Sequence, residues 1–125
     1  MQELLFVFLS GFFGYPVIET LWRGYSHLTM AFAGGICFTA IYYFAAALPS
    51  FGIFKKAFLV SLFITAVELI FGFIFNIILR LDVWDYSGLA FNFLGQICLL
   101  YSVLWFLLAI ALVPLCRFVH KFLFI

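Results

Sequence analysis

The sequence predicts an all-α integral membrane protein, a bundle of four transmembrane helices, on three observations. Hydrophobic residues fill 69% of the 125 positions and charged residues only 9%, with a mean hydropathy of +1.32. A soluble domain of this size keeps a large share of its surface in water and could not conceal that much apolar area, so lipid must be the solvent for much of it. Four stretches stay apolar over the roughly 20 residues a helix needs to cross a bilayer. The connections between them are too short for a further domain, so residues 1–125 read as a single transmembrane domain with the lipid bilayer as its first partner. A net charge of +1, with no basic stripe, gives no sign of a nucleic-acid partner.

The first helix is expected from about Leu4 to Trp22. Met1-Gln2-Glu3 lacks the positive start of a secretory leader and no small-x-small cleavage site follows, so this helix reads as retained. Gly11, Gly14 and Pro16 would let it approach a neighbour closely and bend. The second helix is expected from about Thr29 to Leu48, closed by Pro49-Ser50 and Gly52. Ala31, Gly35, Thr39 and Ala46 give it a seam of small residues, the kind that lines helix contacts where lipid offers little hydrophobic drive. The third runs from about Ala57 to Leu79. The fourth runs from about Phe93 to Phe118, with Gly95, Ser102 and Ala109 as its seam. Lys55, Lys56, Arg117 and Lys121 fall on one side, against Arg23 and Arg80 on the other, which places both termini of a multi-pass cell-membrane protein in the cytoplasm.

A repeat of two helical hairpins is suggested by Glu19 and Glu68 in related places of helices one and three, and by GGIC at 34–37 against GQIC at 95–98. Cys37, Cys98 and Cys116 lie in apolar stretches, an odd count without paired spacing, and read as small buried hydrophobes. No cluster has zinc-ligand spacing, and no cofactor or metal is expected.

Glu68 is the most informative residue. It stands in the middle of the third apolar stretch, where an acidic side chain costs roughly 3 kcal/mol on the mildest insertion scales. Ser61, Thr65, Glu68, Gly72 and Asn76 share one helix face to within about 80°, a polar stripe that must face protein or water. A binding site or ion pathway is one reading; a buried carboxyl hydrogen-bonded to a neighbouring helix is the other. Glu19 and Arg23 are four apart in the order that favours a helical ion pair, either an anchor at the helix end or a substrate contact. His27 has no partner at ligand spacing and reads as an interfacial hydrogen-bonding residue.

The stretch from Arg80 to Gln96 holds Arg80, Asp82, Trp84, Asp85, Tyr86, Asn92 and Gln96. Asp85 or Ser87 would cap a short helix before helix four, and Trp84 and Tyr86 suit the headgroup layer. Asn92 and Gln96 are expected to continue inward on one face of helix four. With Glu68 they would line a cavity open on the side opposite the termini.

WDYS at 84–87, followed by Asn92, Gly95, Ile97, Leu99 and Trp105, resembles the signature of the ABC-transporter type IV membrane family. Glu68-x-x-x-Gly72 and the Gly14-to-Trp22 stretch around Glu19 look like its other marked regions, so the resemblance covers about Gly11 to Leu108. It implies a compact multi-helix membrane protein with a permease role, one that oligomerises or joins other membrane subunits, and it carries over no catalytic residue.

Three functions follow from these residues. The first is a permease or substrate-binding membrane subunit for a small solute, with Glu68 as a site for a cation, an amine or a proton-coupled solute. Arg80, Asp82 and Asp85 would shape the mouth, with Glu19 and Arg23 opposite. The second is a membrane-embedded enzyme acting on a lipid headgroup, against which stands the lack of a nucleophile or metal constellation. The third is a structural or assembly subunit. The sequence contains no G-x-S-x-G, H-E-x-x-H, P-loop or G-x-G-x-x-G motif, so any ATP hydrolysis by the P-loop route must come from another chain.

Overall fold

The computed structural model describes residues 2–47 and 51–123, and among them lie four helices long and apolar enough to cross a membrane. Helix α1 is Gln2–Arg23, α2 is Leu28–Ala46, α3 is Ile53–Phe71, and α4 is Leu99–Leu123. The turn expected at Pro49-Ser50, and Leu48 as the end of the second helix, lie outside the described residues. Gly24 ends α1 in the left-handed conformation (φ 89°), its N–H bonded to Thr20 O at 2.7 Å. His27 then starts α2 as its cap, Nδ1 accepting from Thr29 N–H at 3.2 Å. Two ends of the bundle follow from this path: a terminal end, holding the start of α1 and the end of α4, and a loop end, holding Arg23, His27 and the stretch after α3.

Several element boundaries differ from expectation, and α4 runs on to Leu123 rather than ending near Phe118. Helix α3 begins at Ile53 rather than Ala57 and so takes Lys55 and Lys56 into its first turn. A lysine is tolerated there because the Lys56 stem lies along apolar surface while its ammonium reaches Ala45 O at 2.9 Å. Beyond Phe71 the same rod continues as a π-helix over Gly72–Ile78. Helix α4 begins at Leu99 rather than Phe93. The residues assigned to its first turns form a small antiparallel ribbon, β1 (Asn92–Phe93) with β2 (Ile97–Cys98). They turn back through Leu94 (φ 56°) and Gly95 (φ 72°), two positive φ angles in succession that no helix accommodates. Gly95 therefore belongs to no helix seam, and GQIC at 95–98 is not in the same local structure as the helical GGIC at 34–37.

Small residues do set the contact between α1 and α2. A Cβ on Gly11 would stand 2.4 Å from Gly34 O, and one on Gly34 would stand 2.4 Å from the Tyr15 Cβ. The backbones meet there at a distance only glycine allows. Gly14, expected on this seam, has open space where its Cβ would be, and Ala46 is exposed. Helix α3 packs along α4, and α2 touches both, so the bundle is two hairpins joined through α2. The core of the terminal half is built from residues such as Val7, Ile41, Val60, Ala109 and Val113; a smaller cluster of Met30, Val83 and Trp84 closes the loop half.

Candidate functional site

The stretch between α3 and α4 folds back against the third span. Its depth is fixed by its partners: Gln96 lies against Gly72, whose Cβ would fall 2.5 Å from the Gln96 Oε1, and Tyr86 reaches Glu68. Irregular backbone at such depth survives only where protein or trapped water satisfies its polar groups. Side chains do this here. Asn76 accepts from Val83 N–H at 2.7 Å and donates to Gln96 Oε1 at 2.8 Å. Trp84 Nε1 donates to Gln96 O at 2.9 Å, Gln96 Nε2 to Leu94 O at 2.9 Å, and Asn92 Nδ2 to Leu89 O at 2.8 Å. Arg23 fastens the segment to α1, its Nη1 donating to Val83 O at 3.0 Å.

These contacts reassign several residues. Trp84, only 5% exposed, is a core residue and not a headgroup anchor. Asp85 caps no helix: its Oδ1 accepts from Ser87 N–H at 2.8 Å in a local turn. That N–H, and the Ser87 hydroxyl after it, hold the Asp85 carboxyl below the usual carboxylate range. Asn92 and Gln96 lie on the ribbon, not on α4. Arg80 and Asp82 are exposed, both in the left-handed conformation, and among the described residues neither joins an ion pair or reaches the interior groups.

Glu68 is 7% exposed and faces the space between the two hairpins. Its Oε2 accepts from the Tyr86 hydroxyl at 2.7 Å and its Oε1 from Trp105 Nε1 at 3.3 Å. Among the described residues no cation pairs with it. The Tyr86 hydroxyl is the donor in this contact. The remaining stripe residues also face protein: the Thr65 and Ser102 hydroxyls bond at 2.9 Å.

A cavity of about 260 Å³ adjoins Glu68, walled by Tyr15 and Gly34 of the first hairpin and Ile64, Trp105 and Leu108 of the second. It meets a second lobe of about 410 Å³ at the loop end, and both lobes share Tyr15, Ile18, Met30, Trp84, Trp105 and Leu108. Aromatic rings dominate the junction. Tyr86 stacks on Tyr101 at 4.7 Å, Tyr101 neighbours Trp105 at 6.3 Å, and Trp105 neighbours Tyr15 at 6.3 Å. Glu19 and Arg23 border the second lobe. Glu19 accepts from the Ser26 hydroxyl at 2.7 Å and pairs with Arg23 Nη2 at 3.5 Å.

Of the residues singled out in the sequence, Glu68, Tyr86, Trp84, Glu19 and Arg23 come together at this cavity. Asn76 and Gln96 brace the wall behind it, and Arg80, Asp82, Asp85 and Asn92 stay on the outer surface. Tyr15, Trp105 and Tyr101 were not among the candidate site residues. In a chain with 23% aromatic residues an individual ring gives no signal. Among the described residues no group of three or more His, Cys, Asp or Glu is gathered as a metal site.

A family model described as "Putative ABC-transporter type IV" matches residues 4–124. No curated protein and no solved structure matches the chain.

Proposed function

The chain belongs to the ABC-transporter type IV family, and from that premise we propose that it is a permease-type, substrate-binding membrane subunit for an organic ammonium ion with an apolar body. One observation carries this reading: the buried Glu68 carboxylate has two neutral donors and no described cation, and it stands beside an apolar cavity ringed by Tyr15, Tyr86, Tyr101 and Trp105. A carboxylate supplies the counter-charge for an ammonium group. Aromatic faces add cation–π attraction, which strengthens once water is excluded. The apolar walls suit a hydrocarbon body and disfavour small hydrated ions, whose water shell would have no replacement.

The gap between α1 and α4 gives such a ligand a route from the bilayer or from the loop end. Transport by an ABC mechanism needs an ATP-hydrolysing partner, since this chain has no P-loop, and four helices enclose little volume, so further membrane subunits are part of the proposal. The Lys and Arg bias supports cytoplasmic termini in the assembled state.

An assembly subunit is the competing reading, and the polar side chains that brace the re-entrant stretch favour it. Thermal unfolding in detergent separates the two. Alkylammonium ions of graded size are expected to raise Tm saturably, because a ligand that binds only the folded state stabilises it. Glu68→Gln is expected to stay folded and lose that shift. A parent protein indifferent to every ammonium ion, with Glu68→Gln equally stable, would favour the assembly subunit.

A further inference from the structure

A second charged cluster occupies the terminal end, away from the Glu68 cavity. Lys56, 1% exposed, donates from Nζ to Ala45 O at 2.9 Å, and Arg117 donates from Nε to the same oxygen at 3.2 Å. Ala45 O is one of the last carbonyls of α2, left without a helical partner, and the negative end of the helix dipole favours a cation beside it. One cation meets that need. Here two converge on one oxygen, the buried Lys56 ammonium and the guanidinium of the more exposed Arg117, so two like charges lie side by side at the rim of the bundle.

Among the described residues no carboxylate offsets them. The sequence has five acidic residues, of which only Glu3 lies at this end. Glu3 is engaged elsewhere, by the Tyr42 hydroxyl and by His120 Nδ1 at 2.8 Å. The ion pairs among the described residues are Arg23 with Glu19 and His120 with Glu3, so neither Lys56 nor Arg117 has one. The neighbouring cations turn away: Lys55 Nζ stands over the Phe51 ring and Lys121 Nζ over Phe122. A buried charge such as that of Lys56 is ordinarily paired, and among the described residues the Arg117 guanidinium uses only Nε, leaving its two terminal nitrogens for a fork onto an anion. Lys56 lies in the first turn of the third span and Arg117 in the last turns of the fourth, the level at which a lipid phosphate sits.

We propose that Lys56 and Arg117 form a phosphate-binding site at the terminal end, filled by the headgroup phosphate of an anionic phospholipid. The bound anion neutralises the paired cations and pins α2, α3 and α4 together at their shared end.

The test is thermal unfolding in neutral detergent with added phosphatidylglycerol, phosphatidylcholine of the same chains, or inorganic phosphate. Phosphatidylglycerol is expected to raise Tm saturably where phosphatidylcholine does not. Arg117→Gln should weaken the midpoint about tenfold or more, as expected for losing a charge-assisted bond, and Lys55→Gln should leave it unchanged. If inorganic phosphate alone reproduces the shift, the site stands and its source is a soluble anion. Equal shifts from both lipids overturn the proposal. So does an Arg117→Gln protein that is less stable without lipid yet keeps the full phosphatidylglycerol shift, since the pair is then a helix cap alone. Lys56→Gln is a supporting variant, and Arg117→Gln decides the matter if it does not fold.

Discussion

Asn76 uses both ends of its amide, one on the Val83 N–H and one on Gln96 Oε1. Replacing it with leucine leaves a donor and an acceptor without partners beneath the surface, where each unmet group costs about 1–3 kcal/mol. Asn76→Leu is therefore expected to lower Tm and to make residues 80–98 the first site of limited proteolysis. A protease pattern identical to the parent's would mean that the re-entrant stretch is held by packing alone. Asp85 acts through charge. Its carboxyl is held low by the Ser87 N–H and hydroxyl, so the folded state binds its proton less readily than the unfolded chain. That contribution is complete above the unfolded value of about 4 and is lost as pH falls through the depressed value. Asp85→Asn should flatten the acid limb of a Tm-against-pH curve below about pH 4, while leaving the neutral region parallel to the parent.

At the scale of elements, α1 and α2 test how close approach depends on single glycines. Gly34→Ala would drive its methyl against the Tyr15 Cβ and the Gly11 carbonyl, 2.4 and 2.7 Å away, both on the rigid part of α1. The hairpin must open, at a cost of about 1–3 kcal/mol by comparison with other overpacked contacts. Gly14→Ala meets nothing within 4 Å and removes a helix-weakening glycine, so it should be neutral or stabilising by up to about 1 kcal/mol. Thermal melts of the two variants side by side measure this; equal destabilisation would mean that the glycines matter for flexibility and not for contact. Glycine is needed at position 72 for a similar reason, since Gln96 fills the space its side chain would take. The third span can follow its π-helical path past the ribbon only because that surface is bare.

For the whole molecule, the decisive feature is that α1 leans on α2 while α3 and α4 pair with each other, leaving a cavity where α1 faces α4. The opening is tied at three levels by side chains: the Glu3, Tyr42 and His120 knot at the terminal end, Tyr15 against Trp105 midway, and Trp22 Nε1 on the Tyr101 hydroxyl at the loop end. Filling the cavity should stabilise the fold and abolish its use. Leu108, which borders both lobes, is the position of choice. Leu108→Trp is expected to hold or raise Tm, because the added volume enters empty space, and to remove the ammonium-induced shift. Retention of the full shift would place the ligand elsewhere.

The sequence by itself determined the solvent, the number of spans and the one carboxylate at mid-depth. Each follows from local composition: an apolar stretch long enough to cross a bilayer has no other stable setting, and a charge inside it marks itself. The family signature was legible too, because WDYS and Glu68 are particular residues at particular spacings. Only the tertiary structure decided what those residues touch. Residues 93–98 have the composition of a helix start, yet Leu94 and Gly95 take positive φ angles while Asn76 and Trp84, distant in sequence, supply hydrogen bonds to Gln96. Lys56 reads as a surface charge until the end of α2 is placed above it. Tyr15 and Trp105 become site residues only when the two hairpins are set face to face. Backbone preference and hydropathy are summed along the chain, whereas hydrogen-bond partnership and cavity shape are set across it, and the candidate site is made of the second kind.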